Sequence, residues 1–410
     1  MTMRVRMVLM LMVGLAMMGL ASCDHFNCSS GATFGASTCT PGTTGTGSKA
    51  EFVYFAGGAQ ELALAGLNVN NSGTFEEVSS FVSPTLTSGA VGMVVVNTKY
   101  LYVATGSNTV DGFLIDGTTG ALTAVSGNPF GVGSLTTINS LAADPTGRFL
   151  FVGGLGGVSV FTVNASTGGL VLTTGSPFPT PGGAVPAQMA TDGLGKYLYG
   201  VESFPGTEVL AFSYDQSSGA LTAVPGSPFV SAGTTNFNMA EIAGESSGKY
   251  MVGITEEVGQ NGGVPDNHIY VFGISQTTGS LGALTPVAGS PFATTNPPIF
   301  MAVSPNGAFV YTFNETISGS NGSIDAMEGY KLSGLPSNLP ALTTSPFTGL
   351  DATIGRFDQS GEFLFAQATG ASNIGETFPY TADPTTGALT STLPTSVSAA
   401  ATLYVVTDAQ

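Results

Sequence analysis

One phrase of about fifty residues recurs along most of the chain, and this periodicity limits the available folds more than any other feature. Each copy holds a turn, an aromatic-rich strand, a second strand, a Thr-Gly turn, a third strand and a Pro-Phe step. The fullest copy runs Asp192-Gly-Leu-Gly195, Lys196-Tyr-Leu-Tyr199, Val209-Leu-Ala-Phe-Ser-Tyr-Asp215, Ser218-Gly219 and Gly226-Ser-Pro-Phe229. The aromatic strand returns at Tyr100–Val103, Phe149–Val152, Phe309–Tyr311 and Phe363–Phe365. Turn glycines fall at Gly73, Gly120, Gly168, Gly219, Gly279 and Gly387, with gaps of 47, 48, 51, 60 and 108 residues. The last gap holds two repeats, the first degenerate near Pro336–Leu342, which makes seven.

Such a repeat holds four short strands, so the expected fold is all-β: a seven-bladed β-propeller with four-stranded blades. Glycine supplies the positive φ that the tight turns require. The Pro-Phe steps (129–130, 177–178, 228–229, 291–292 and 346–347) are expected to end each outer strand, with the phenyl rings wedged between blades. Ring closure is also written in the termini. Glu51-Phe-Val-Tyr-Phe55 reads as a second strand and Thr402-Leu-Tyr-Val-Val-Thr-Asp408 as an innermost one. The C-terminal strand is therefore expected to complete the first blade, covering edges that would otherwise template aggregation. No segment after residue 22 keeps a 3.6-residue period over several turns, which excludes helical solenoids.

These phrases resemble the seven-bladed lactonase-like propellers, the family that includes bacterial 6-phosphogluconolactonase and fungal muconate-lactonising enzymes. Asp144-Pro-Thr-Gly-Arg-Phe-Leu-Phe-Val152, Val158-Ser-Val-Phe-Thr-Val163 and Thr167-Gly168 carry the resemblance, which covers roughly residues 50–410. It implies lactone chemistry at the centre of the ring. Catalytic members often place an Arg-His pair where the chain enters an innermost strand. Here those positions read Pro186-Ala-Gln-Met189, Asn236-Phe-Asn-Met239 and Pro298-Ile-Phe-Met301, without the pair.

The N-terminus reads as an export signal over residues 1–22. Arg4 and Arg6 precede an apolar run, Met7–Leu20, too short for a membrane span, and Leu20-Ala21-Ser22-Cys23 resembles a bacterial lipobox. Cys23 is then the lipid attachment point of an envelope lipoprotein, in the periplasm or at the cell surface, whose membrane contact is the lipid alone. Residues 23–49 read as a flexible Gly/Ser/Thr-rich tether, and residues 50–410 as the propeller. Cys28 and Cys39 are expected to pair as a disulfide in an oxidising compartment, since only His25 lies nearby and no zinc spacing is present. Past the signal, 26 acids face seven bases. A net charge of −19 repels nucleic acid and anionic membranes.

Charged chemistry is sparse. His268 is the only histidine of the propeller segment, and no nucleophile elbow, P-loop or zinc helix occurs. Lys99, Arg148, Lys196 and Lys249 share one repeat position before the aromatic strand and read as solvated strand ends. Too few bases remain to hold a phosphorylated sugar. Arg356 breaks the repeat, because its counterparts are Ala142, Ala190 and Ala302. On an innermost strand it would reach the channel and hold a carboxylate or carbonyl oxygen, or else pair with Asp351 or Asp358. The fifth and sixth repeats have long loops, 255–268 and 314–325, at the corner between second and third strands. With the fourth repeat they place Glu202, Glu256, Glu257, Asp266, His268, Glu315 and Asp325 on one face. Glu257, His268 and Arg356 are the catalytic candidates. Glu202, Glu256, Asp266, Glu315 and Asp325 are the ligand-binding ones. No metal site or cofactor is expected, Ca²⁺ being the one ion such oxygens suit. These features give an interaction scaffold with an acidic face for a protein or carbohydrate partner. The alternative is a hydrolase of an unphosphorylated sugar or aromatic lactone.

Overall fold

The computed structural model describes residues 33–34, 37–38, 50–56, 62–68, 74–78, 80–202, 208–230, 237–257, 267–314, 327–343, 345, 347, 352–368, 376–391, 397–398 and 403–408. Beyond a small hairpin that pairs Thr33–Phe34 with Ser37–Thr38, these residues form seven antiparallel sheets of three to five strands, an all-β propeller fold. Sheets 2 to 7 begin at Ala90, Thr136, Pro186, Phe237, Pro298 and Ala352, each with its innermost strand. Sheet 1 holds Ala50–Ala56, Leu62–Asn68 and Thr74–Glu77, with Leu403–Asp408 paired antiparallel to Ala50–Ala56, Glu51 opposite Asp408. The innermost strands neighbour one another in the order 403–408, 90–96, 136–143, 186–191, 237–244, 298–303 and 352–357, and the last again touches 403–408.

The second strands read as unbroken apolar runs because both of their faces are buried. In Tyr100–Thr105 the side chains of Tyr100, Tyr102 and Ala104 enter the core between sheets 2 and 3, while Leu101 and Val103 enter the core between sheets 1 and 2. The described core consists of seven such clusters, each between neighbouring sheets. The one joining sheets 7 and 1 packs Ile354, Phe363 and Phe365 against Val53, Phe55 and Phe75. Tyrosines of the second strands also bond across the gap. The hydroxyls of Tyr54, Tyr102, Tyr199 and Tyr311 donate to the carbonyls of Gly120, Gly168, Gly282 and Gly387 at 2.7–2.8 Å. Gly168 shows why the turn needs glycine: its φ is +69°, and a Cβ there would lie 2.5 Å from the Tyr100 ring.

Three expectations are corrected. The turn glycine of sheet 5 is Gly282, not Gly279. Its N–H bonds Ser275 O at 3.0 Å, as Gly219 bonds Asp215 and Gly168 bonds Asn164, because this turn is three residues longer. The Pro-Phe steps open a further short strand instead of ending the outer one. Phe130, Phe229 and Phe292 each pair with the third strand of their own sheet, beside the three-residue fourth strand. The preceding side chain makes this repairing favourable: Asn128 Oδ1 and the Oγ atoms of Ser176, Ser227, Ser290 and Ser345 accept the N–H of Gly112, Val160, Ala211, Val271 and Gly329, donors the short fourth strand leaves uncovered. The phenyl rings do pack against the inter-sheet cores, as at Phe130 and Phe178. Finally, four strands is not the uniform sheet: sheets 2, 4, 5 and 7 have five, sheets 1 and 3 have four, and sheet 6 has three. In sheet 6 the degenerate repeat forms a 3-10 turn, Leu332–Gly334, and only single bridges, Tyr330 to Ala341 and Met327 to Phe347.

The Thr-Gly turns carry a testable electrostatic signature. Asp116, Asp215 and Asp383 each accept backbone N–H groups from the second and third residues after them, at 2.7–3.0 Å. The Ser217 hydroxyl contributes most at Asp215 and the backbone bonds most at Asp116 and Asp383; they favour the ionised form and hold all three carboxyls below the ordinary range. A carboxyl depressed in the folded state stabilises above its unfolded value, near about 4, and this is lost as pH falls through the folded value. Thermal midpoints are therefore expected to drop as pH falls below about 4. Replacing the three aspartates by asparagine, which already serves this turn as Asn164, should flatten that drop.

Candidate functional site

The innermost strands of sheets 2 to 7 carry a register shift near their starts, and in sheets 3 to 5 the residue after it has a shared task. Ser140, Gln188, Glu241, Phe300 and Ile354 each follow such a shift. An innermost strand has one edge with no partner in its own sheet, so backbone groups there need other partners. Gln188 supplies them to sheet 5: its Nε2 donates to Ile242 O and its Oε1 accepts Ile242 N–H, both at 3.0 Å. Ser140 Oγ donates to Pro186 O at 3.4 Å. Glu241 Oε2 accepts the N–H of Met301, in sheet 6, at 2.9 Å.

Glu241 has a second partner. Arg356 Nη1 lies 3.4 Å from Glu241 Oε1. Arg356 stands on the innermost strand of sheet 7, and the innermost strand of sheet 6 lies between the two residues. The pair therefore spans that strand on the channel side. The Arg356 side chain is 38% exposed and that of Glu241 13%. Burial pushes the Glu241 carboxyl above its ordinary range, against the pull of Arg356 and the Met301 N–H. Among the described residues Arg356 makes its hydrogen bonds through Nη1 alone, the second being to Gly355 O at 3.5 Å, which leaves Nε and Nη2 as further donors of a part-exposed side chain. A guanidinium beside a carboxylate of raised pKa can bind a carbonyl or carboxylate oxygen and take up a proton next to it.

The expected partners of Arg356 were Asp351 or Asp358. Asp358 instead caps its own turn, accepting Phe363 N–H at 2.9 Å, and Asp351 lies outside the described residues. Glu241 escaped sequence reasoning, although a carboxylate in the apolar strand Phe237–Gly244, aligned by repeat with Gln188, was the available signal.

The other candidates lie elsewhere. Glu202 and Glu257 close second strands and His268 opens a third strand, so all three sit at the end where innermost strands begin. His268 pairs with Ala293, and its ring centroid is 6.5 Å from that of Tyr270. Glu256 is the register partner of Asn238 and Glu257 of Phe237. Among the described side chains, neither Glu202 nor His268 contacts Arg356. The Glu202 carboxyl is raised by burial and by Glu208. Asp266, Glu315, Asp325, Cys23, Cys28 and Cys39 lie outside the described residues, as do the signal segment 1–22 and most of the tether. Among the repeat-position bases, Arg148 binds Gln216 O and Oε1 at 2.7 and 2.6 Å on the turn-bearing face. No group of three or more His, Cys, Asp or Glu among the described residues is placed to hold a metal ion.

Comparison with known proteins agrees with this architecture. The family model "Lactonase, 7-bladed beta-propeller" matches residues 137–315. Among solved structures, a proposed 6-phosphogluconolactonase from Bacteroides uniformis aligns over 87% of this chain and 99% of its own, at 16% identity and a TM-score of 0.63. A second from Bacteroides fragilis aligns over 90% and 99%, at 15% identity and 0.63. The periplasmic gluconolactonase of Pseudomonas aeruginosa aligns over 88% and 99%, at 13% identity and 0.61. At these identities the structural likeness speaks for fold alone. No curated protein matches by sequence. The family model thus matches part of the chain, and the solved structures share its propeller fold.

Proposed function

We propose that this is an exported, lipid-anchored propeller of seven blades, closed by its C-terminal strand, whose channel hydrolyses an unphosphorylated lactone. The observation that carries the reading is the Arg356–Glu241 pair, which spans the innermost strand of sheet 6 with the Arg356 side chain 38% exposed. Arg356 would hold and polarise the lactone carbonyl. Glu241 would take a proton from water as its oxygen attacks the carbonyl carbon. Collapse of the tetrahedral intermediate breaks the ring C–O bond, and the Glu241 carboxyl returns the proton to the leaving alkoxide, giving the hydroxy acid. Arg356 is the only base on the innermost strands, which argues against a phosphorylated substrate.

Purified mature protein tested against a lactone panel with a pH indicator should show turnover. Arg356→Ala and Glu241→Gln should each lower kcat by about 100-fold or more. Because the base acts ionised and its pKa is raised, the rate should climb with pH through a range above that of an ordinary carboxylate. No turnover by the wild type, or full turnover in both variants, would remove the hydrolase. Anchoring is tested separately: Cys23→Ala should move the protein from membrane to soluble fractions.

The second reading is an interaction scaffold for a protein or carbohydrate. It is favoured by the crowding of Glu202 and Glu208 at the end that bears the long loops. It stands if lactones are inert and a partner is lost on Glu202→Gln.

A further inference from the structure

The residues that follow the innermost register shifts form a belt around the channel, and the belt is two-sided. Over sheets 3 to 5 it is polar, with Ser140, Gln188 and Glu241, but each of these side chains already serves the backbone of the next innermost strand. Both ends of the Gln188 amide are used. Over sheets 6 and 7 the same positions hold Phe300 and Ile354. Phe300 is only partly buried, and it packs against two cores at once, those between sheets 6 and 7 and between sheets 7 and 1. Ile354, a member of the second core, lies two residues before Arg356 on the innermost strand of sheet 7. Phe300 precedes Met301, whose N–H holds Glu241, so chain neighbours of Phe300 and Ile354 carry or hold the ion pair. Elsewhere the innermost strands of sheets 2 to 7 are mostly apolar, with Thr136, Thr137, Asn139, Thr191, Asn238 and Thr353 as their other polar residues, and their charges are Glu241 and Arg356 alone.

Resting on the reading of this channel as the lactone site, we infer that its ligand is an uncharged lactone with an aryl or alkyl body, its carbonyl on Arg356 and its hydrocarbon edge against Phe300, in preference to a polyhydroxylated sugar lactone. A sugar lactone brings several hydroxyls that lose water on entry, and the belt has few uncommitted groups to receive them. A hydrocarbon body loses nothing there and covers the Phe300 ring.

Lactams separate ligand class from turnover, because they present the same carbonyl and resist hydrolysis. Binding of dihydroquinolinone and of gluconolactam to the mature protein is measured by calorimetry. The bicyclic aryl lactam should bind at least about ten-fold more tightly. Phe300→Ala should weaken the aryl lactam by about 10- to 100-fold and gluconolactam by less than about three-fold, while Phe300→Leu, which keeps the core filled, should retain most of the preference. Equal or tighter binding of gluconolactam, a preference unmoved by Phe300→Ala, or no binding of either lactam overturns the inference. A clear aryl preference in a protein that hydrolyses no lactone would leave the ligand class standing and remove the hydrolase alone.

Discussion

Deletion of residues 403–410 is expected to leave a chain with no cooperative thermal transition near that of the intact protein. Six register pairs join 403–408 to 51–56, and an antiparallel ladder of that length contributes roughly 1 kcal/mol net per hydrogen bond. The loss is then on the order of 5 kcal/mol before any packing is counted, comparable to the whole stability of many domains, about 5–15 kcal/mol. The same strand also lies between the innermost strands of sheets 2 and 7, so its removal opens the ring where the core of Val53, Phe55, Ile354 and Phe365 joins the two ends of the chain. The exposed edge of Ala50–Ala56 would invite pairing with other chains. Calorimetry and size-exclusion chromatography read both effects, as a lost transition and as aggregation. A truncated monomer melting within a few degrees of the full chain would refute closure by this strand.

The fold was legible because the words of the repeated phrase keep the same physical job in most of the sheets. The aromatic strand is buried on both faces, its tyrosine reaches the next turn, and that turn takes glycine because the neighbouring ring fills the space of a Cβ. What the phrase concealed was pairing. Ser-Pro-Phe announces a turn, but only the uncovered N–H of the third strand decides that the chain turns back to pair with it. The site was half legible. Arg356 stood out as a charge where other repeats have alanine, yet its partner is 115 residues away and two sheets back, beyond anything local patterning encodes. Glu241 was obscured because Ser140, Gln188 and Phe300 share its position without sharing its chemistry. The loop carboxylates drew attention by loop length, which marks a face without marking which side chains meet.

Glu328→Ala is expected to cost about 3–5 kcal/mol, and its effect should reach the channel. Glu328 opens the third strand of sheet 6 and is almost wholly buried. Its Oε2 accepts Thr295 N–H at 3.1 Å and the Tyr330 hydroxyl. Its Oε1 accepts Asn296 N–H at 3.2 Å and Asn296 Nδ2 at 3.1 Å. Removing the carboxylate takes the acceptor from four donors, the Tyr330 hydroxyl buried and the Thr295 and Asn296 groups part-buried; each lost charge-assisted bond is worth about 1.5–3 kcal/mol, and hydration of the part-buried donors brings the sum to the stated range. For a chain of this size that is a fall in Tm of about 5 °C. Residues 294–297 lead directly into the innermost strand of sheet 6, whose Met301 N–H holds Glu241. Loosening them should let Glu241 drift from Arg356, so that kcat falls at temperatures where the variant is still folded. Asp111 is the matching clamp in sheet 2, accepting Thr87 N–H at 2.7 Å ahead of an innermost strand with no charge. Asp111→Ala should therefore lower Tm by a similar amount while leaving kcat intact below its melting range. If both variants lose kcat in parallel with Tm, Glu328 acts on stability alone.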